Sequence, residues 1–105
     1  MKQSLEYVAV GGTDYETVAA SATDQVLGTA GSINDLIARL VVTVGTAATS
    51  TVSIKDGAGA AIPIVAANTP IGVYTVEVGV RSRSGAWSVT TGAGATVVAV
   101  GQFSI

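Results

Sequence analysis

The stretch VYTVEVGVR, residues 73–81, decides the fold class of this chain. Apolar side chains recur there at every second position, and Glu77 and Arg81 fall among the alternate ones. A period of two residues, with β-branched and aromatic side chains, is typical of a strand that buries one face. The predicted inner side carries Tyr74, Val76, Val78 and Val80, and the predicted outer side carries Val73, Thr75, Glu77, Gly79 and Arg81.

A second alternating stretch, LIARLVVTV, occupies residues 36–44. Asp35 could cap a short helix over residues 34–40, which is the competing interpretation. The β-branched residues that follow favour a strand instead, because branching at Cβ restricts side-chain rotamers in a helix. The strand interpretation places Leu36, Ala38, Leu40, Val42 and Val44 on one face and Ile37, Arg39, Val41 and Thr43 on a second, only partly polar face.

Turn residues separate several further strands. Asp56 and Gly57 predict a hairpin between residues 51–55 and 61–65, because both residue types tolerate a positive φ. Pro63 lacks an amide donor and therefore predicts that the second hairpin strand lies at a sheet edge or is irregular.

The remaining strands are short or weakly bounded. Residues 86–90 and 96–103 predict strands, the latter buried on both faces or against a partner, and residues 5–10 and 17–27 could add more. We expect an all-β fold, a small sandwich or barrel of about six to eight short antiparallel strands. Residues 16–105 would form a single β domain, preceded by an arm over residues 1–15 with a hinge at Gly11 and Gly12.

The composition argues for binding rather than chemistry. The chain has no His and no Cys, which excludes a Ser-His-Asp triad, a cysteine nucleophile and an ordinary zinc site. Its seven acidic residues stand singly rather than as a pair suited to hydrolysis. We therefore expect no enzyme activity, no cofactor and no metal.

Surface charge is scarce in this chain. Charged residues make up 11% of it, against about 25% in an average soluble domain. The five basic residues form no cluster, so we expect no nucleic-acid partner, and the apolar windows are too short to predict a membrane span. Because soluble monomers rarely expose large apolar patches, part of the uncharged surface is expected to be covered by neighbours.

The segment RSRSGAW, residues 81–87, holds two arginines and the only tryptophan. We expect Trp87 in the core, since a chain with few aromatic residues needs its largest one inside. Arg81 and Arg83 are expected to contact acidic or carbonyl groups of a neighbour. Leu5 and Tyr7, apolar residues of the predicted arm, complete the candidate interface.

Residues 36–104 resemble small virion proteins of tailed bacteriophages. The resemblance lies in the order of four motifs: the Asp-Gly turn at 56–57, the strand GVYTVEVGVRS, the turn SGAW and the terminal VGQF. It implies a β-sandwich or barrel displayed on a capsid, most like a head decoration protein, with no catalytic residues. The implied partners are the major capsid protein and copies of the chain itself. The implied location is the capsid surface of the virion, after synthesis in the host cytoplasm.

The function expected from these observations is that of a structural virion protein that decorates and stabilises the capsid through protein–protein contacts. The alternative is a carbohydrate- or receptor-binding β module of a phage fibre. Such a module would expose an aromatic platform, for which the chain offers Tyr7, Tyr15, Tyr74, Trp87 and Phe103.

Overall fold

A computed structural model of the protein describes residues 14–46 and 50–104. Every regular element in these ranges is a β-strand, so the predicted all-β class is confirmed. The strands are β1 Asp14–Val18, β2 Gln25–Val26, β3 Leu36–Val44, β4 Val52–Asp56, β5 Ile62–Val65, β6 Gly72–Arg81, β7 Trp87–Thr90 and β8 Ala95–Gln102. No helix in the described ranges has the length and hydropathy needed to cross a membrane.

The strands form two four-stranded antiparallel sheets. Sheet A has the order β1-β8-β3-β6, and sheet B has the order β2-β7-β4-β5. Four of the strand pairs are nested around the β4–β5 hairpin: β4 with β5, β3 with β6, β2 with β7 and β1 with β8. The chain is thus arranged as one long hairpin folded over into two sheets, which is the double Greek key of a jelly roll.

Strand β6 has the alternation that its sequence predicts. Tyr74, Val76 and Val78 are half-buried against the core, while the residues between them are exposed. Val80 also lies on the inner side, opposite the buried Ile37, but it remains 49% exposed. It is the second-last residue of an edge strand.

Strand β3 departs from the predicted alternation at one position. The pairing register shifts between Ile37 and Arg39: Ala38 is an extra residue, a bulge, against β8, whereas β6 has two residues, Val78 and Gly79, opposite it. An extra residue in a strand shifts the alternation of its side chains, so the residues beyond the bulge face the opposite side of the sheet from that expected. The prediction that Ile37 faces outward with Arg39 is therefore wrong: Ile37 is fully buried together with Leu40, Val42 and Val44.

The hairpin and its edge strand are confirmed. Strands β4 and β5 pair antiparallel, and Ser53 lies opposite Pro63. Strand β5 is an edge strand of sheet B, and its pairing with β4 is irregular between Val52 and Ser53, as Pro63 predicts.

One apolar core lies between the sheets. Trp87 is 2% exposed within it, which confirms the predicted core position. Strand β8 buries its inner side completely, whereas Val98 and Val100 on its outer side are half-buried. The core members are Val18, Leu27, Ile37, Leu40, Val42, Val44, Val52, Ile54, Val65, Trp87, Val89, Ala95, Val97, Ala99 and Phe103.

The predicted arm falls mostly outside the described ranges, and so do Leu5 and Tyr7. Its last two residues, Asp14 and Tyr15, are the first residues of β1 and pair with Gly101 and Val100 of β8. Two residues of the predicted arm therefore pair with sheet A.

Candidate interaction surface

The outer face of sheet A is a continuous surface that the strand registers define. Its side chains lie in rows across the four strands. The first row contains Tyr15, Val100, Arg39 and Glu77. The second row contains Thr17, Val98, Val41 and Thr75. The third row, on three of the strands, contains Thr96, Thr43 and Val73. We call these eleven residues the valine–threonine face.

The valine–threonine face is mainly uncharged. Tyr15 and Val73 are 70% and 65% exposed and lie on the two edge strands. Val41, Val98 and Val100 form a half-buried apolar strip between those edges. The two charged members, Arg39 and Glu77, are register partners of opposite sign, so the face is close to neutral. Such a face can be covered by a protein with little desolvation of ions.

The outer face of sheet B has a different chemical character. Lys55 and Asp24 form an ion pair there, with 3.4 Å between Nζ and Oδ2. Beside them lies an open cleft of about 330 Å³, with Ser84, Ala86 and Ser88 in its lining. Small hydroxyl and methyl groups with one ion pair offer neither a nucleophile–base pair nor two converging carboxylates.

The segment with the two arginines is held in place by Asp56. The Asp56 carboxylate accepts hydrogen bonds from the backbone amides of Arg83 and Ser84, each at 3.0 Å. The Ser84 hydroxyl donates to the Asp56 carbonyl oxygen at 2.6 Å. Gly57, at φ +55°, lies against Gly85, where a side chain on either residue would meet backbone. The β4–β5 turn and the β6–β7 turn are therefore one joined unit.

These hydrogen bonds also set the acidity of Asp56. Desolvation on its own would raise the pKa of this carboxyl group. The amides of Ser84, Arg83 and Gly85 and the Ser84 hydroxyl stabilise the charged form more strongly, so the pKa of Asp56 is lowered below its ordinary value. The ionised Asp56 carboxylate therefore joins the two turns, and we call this set of hydrogen bonds the Asp56 clasp.

The structure separates the two predicted interface arginines. Arg81 ends β6, where its guanidinium donates to the Asn34 carbonyl oxygen at 2.9 Å and to Gln102 Oε1 at 3.3 Å. It borders a polar cleft of about 290 Å³. Arg83 is exposed in the β6–β7 turn, and the buried Ser82 lies between the two arginines. Arg81 thus contacts carbonyl groups of its own chain, and contact of either arginine with a neighbour stays a prediction.

Two residues have contacts that the sequence pattern does not predict. Tyr15, predicted as part of the arm, lies in β1, where exposed Tyr15 and Thr17 alternate with half-buried Glu16 and buried Val18. The competing prediction that Asp35 caps a helix is wrong, because β3 starts at Leu36. Asp35 is buried, and its carboxylate accepts hydrogen bonds from the Ser104 hydroxyl at 2.7 Å and the Ser104 amide at 3.2 Å.

Residues 14–46 and 50–104 contain no group of three or more His, Cys, Asp or Glu side chains placed to hold a metal ion. Comparison of the chain with protein-family models, with curated proteins and with solved structures finds no match.

Proposed function

We propose that this chain is a structural virion protein of a tailed bacteriophage, which decorates the capsid and stabilises it through protein–protein contacts made by the valine–threonine face. The observation that carries the proposal is the neutral outer surface of sheet A. Nine of its eleven residues are uncharged, and exposed Tyr15 and Val73 flank a half-buried strip of valines. The resemblance of residues 36–104 to small virion proteins supports the phage assignment.

The size of the face suits a repeated partner. Four strands about 4.8 Å apart and three rows that span five residues of β3 give a flat area of roughly 300 Å². A standard interface buries about 800 Å² on each partner, so one such contact is modest in size. A shell of identical subunits offers many equivalent sites, and contacts to more than one neighbour would raise the effective affinity of each copy.

The topology is compatible with the proposal without being specific to it. Eight-stranded jelly rolls occur in viral capsid proteins, and they occur also in lectin domains and cupins. A fold shared by unrelated functions supports an assignment only by analogy. The argument for a binding role accordingly rests on the chemistry of the sheet face.

The aromatic residues give little support to the carbohydrate-binding alternative. Trp87 and Phe103 are buried, and the Tyr74 hydroxyl is bonded to the Pro70 carbonyl oxygen at 2.7 Å. Within residues 14–46 and 50–104, Tyr15 is the one aromatic side chain with more than half of its surface exposed. A single tyrosine is a small platform for a sugar ring.

The proposal is tested by adding the purified chain to particles of the encoding phage that lack it. We expect binding at a fixed number of copies per capsid subunit, with the decorated particles surviving a higher temperature. Thr43→Glu puts a charge on an inner strand of sheet A, in the third row of the valine–threonine face, and should abolish decoration. Ser53→Glu makes the same kind of change on an inner strand of sheet B and should decorate normally.

Two results would count against the proposal. One is failure of the wild-type chain to bind such particles together with specific binding to a glycan in an array, which would favour the fibre-module alternative. The other is equal decoration by wild type and Thr43→Glu, which would place the contact away from sheet A.

A further inference from the structure

The four edge strands of the sandwich are protected to different degrees. Strand β2 has two residues, β1 has five, and β5 has four and carries Pro63. Strand β6 has ten residues, contains no proline and is paired on one side, with β3. Proteins commonly shield sheet edges by shortening them or by placing proline in them. Strand β6, in contrast, is neither short nor interrupted by proline.

Exposed apolar side chains are concentrated along β6. Ile71, immediately before the strand, is 66% exposed, and Val73 and Val80 are 65% and 49% exposed. Gly79 has φ +67° at the bulge opposite Ala38, so the regular part of the edge is residues 72–77. Alternate residues of an edge strand direct their backbone groups away from the sheet, which leaves a row of donors and acceptors for an added strand.

We propose that β6 accepts residues 5–10 of a neighbouring copy as an added strand. These residues, LEYVAV, alternate in the manner of a strand, with Leu5 and Tyr7 on one side and Val8 and Val10 on the other. Main-chain hydrogen bonds would supply affinity, and the exposed apolar residues of β6 would pack against the added side chains. The inference goes beyond capsid decoration, because it concerns association of the chain with itself.

The chain between Val10 and β1 is too short for residues 5–10 to pair with β6 of the same copy, so the added strand comes from a neighbouring copy. Strand β1 begins at Asp14, at the opposite edge of sheet A from β6. A strand added beyond β6 lies four strand spacings from β1, which is about 19 Å. The four residue steps from Val10 to Asp14 span at most about 14 Å. Residues 5–10 therefore fall short of their own β6, and donation to the next copy is head-to-tail, an arrangement that forms a ring when its rotation closes.

The experiment measures self-association of the full-length chain by sedimentation velocity over a range of concentrations, without capsids. Wild type should form oligomers. Val8→Pro removes an amide and disfavours pairing within the donated segment, so association should weaken on the order of tenfold or more. Gln3→Pro is the matched control outside that segment and should behave as wild type.

Introduced cysteines identify the acceptor edge, since the chain has none of its own. Oxidation of Val8→Cys/Thr75→Cys should give intermolecular disulfides, whereas Val8→Cys/Ile62→Cys, which tests the β5 edge, should give few. A wild-type chain that stays monomeric, equal association of Val8→Pro, or cross-linking within one chain would each overturn the proposal. Decoration of capsids by such a monomer would leave the proposed function standing, so the two failures are distinguishable.

Discussion

The indole N–H of Trp87 donates a hydrogen bond to the carbonyl oxygen of Asp35 at 2.9 Å. Asp35 immediately precedes β3 of sheet A, and Trp87 begins β7 of sheet B. The same carbonyl accepts the Ser82 amide at 2.8 Å. The bond thus joins the two sheets at one end of the sandwich and satisfies the polar atom of the largest core side chain.

Trp87→Ala should lower the free energy of unfolding by about 3–5 kcal/mol, the range for removal of a large buried aromatic side chain. Trp87→Phe keeps much of the apolar volume and loses the hydrogen bond, so its cost should be smaller. Chemical denaturation of both variants checks this order. A Trp87→Ala variant that unfolds like wild type would contradict the core assignment.

Asp35→Ala should destabilise the domain by about 1–3 kcal/mol, because it leaves the Ser104 amide without its buried acceptor. Ser104→Ala removes only the hydroxyl donor and should cost about 0.5–1.5 kcal/mol. Hydrogen exchange at Ser104 should be faster in Asp35→Ala than in wild type. Unchanged exchange there would show that the carboxylate does not hold the segment that follows the last strand.

Gly101→Ala should be strongly destabilising, because a Cβ at this position of β8 would overlap the Leu36 carbonyl oxygen of the neighbouring strand. Gly45→Ala is the matched control, since its nearest neighbour would be the Gly94 carbonyl oxygen at 3.7 Å. Thermal melts of the two variants should differ clearly. Similar melting temperatures would mean that β8 and β3 can separate to admit the methyl group at little cost.

The Asp56 clasp predicts a dependence of stability on pH. Because the pKa of Asp56 is lower in the folded chain than its ordinary value, the ionised group stabilises the fold at neutral pH. That contribution is present above the unfolded-state pKa, about 3.9, and is lost as pH falls through the folded-state value. Asp56→Asn should therefore be less stable than wild type at pH 7, with a difference that shrinks below about pH 4. A difference that is constant with pH would contradict the ionic role.

The parts of the fold that could be predicted are those in which apolar side chains alternate without interruption. Tyr74, Val76 and Val78 alternate without interruption, so β6 and its inner side could be predicted. The bulge at Ala38 could not, because it arises from the registers of β3 with both β6 and β8. Sequence alternation assumes regular pairing and therefore placed Ile37 on the wrong face.

The sequence predicts that an uncharged interaction surface exists, but it does not predict which strands form that surface. Low charge indicated an uncharged surface, and the partly polar outer side of residues 36–44 contained Val41 and Thr43. Only the strand order brings Val41 beside Val98, and Val98 beside Thr17, although the three residues are far apart in sequence. The role of Asp35 depends equally on contacts with Ser104, 69 residues away.

The central claim, that the valine–threonine face docks on a capsid, is tested most directly by electron cryomicroscopy of purified particles that carry the chain. The account predicts density for the two-sheet domain at a fixed number of copies per capsid subunit, with Thr43 and Val98 facing the shell. Particles without this density, or density in which sheet B contacts the shell and the valine–threonine face is open to solvent, would contradict it.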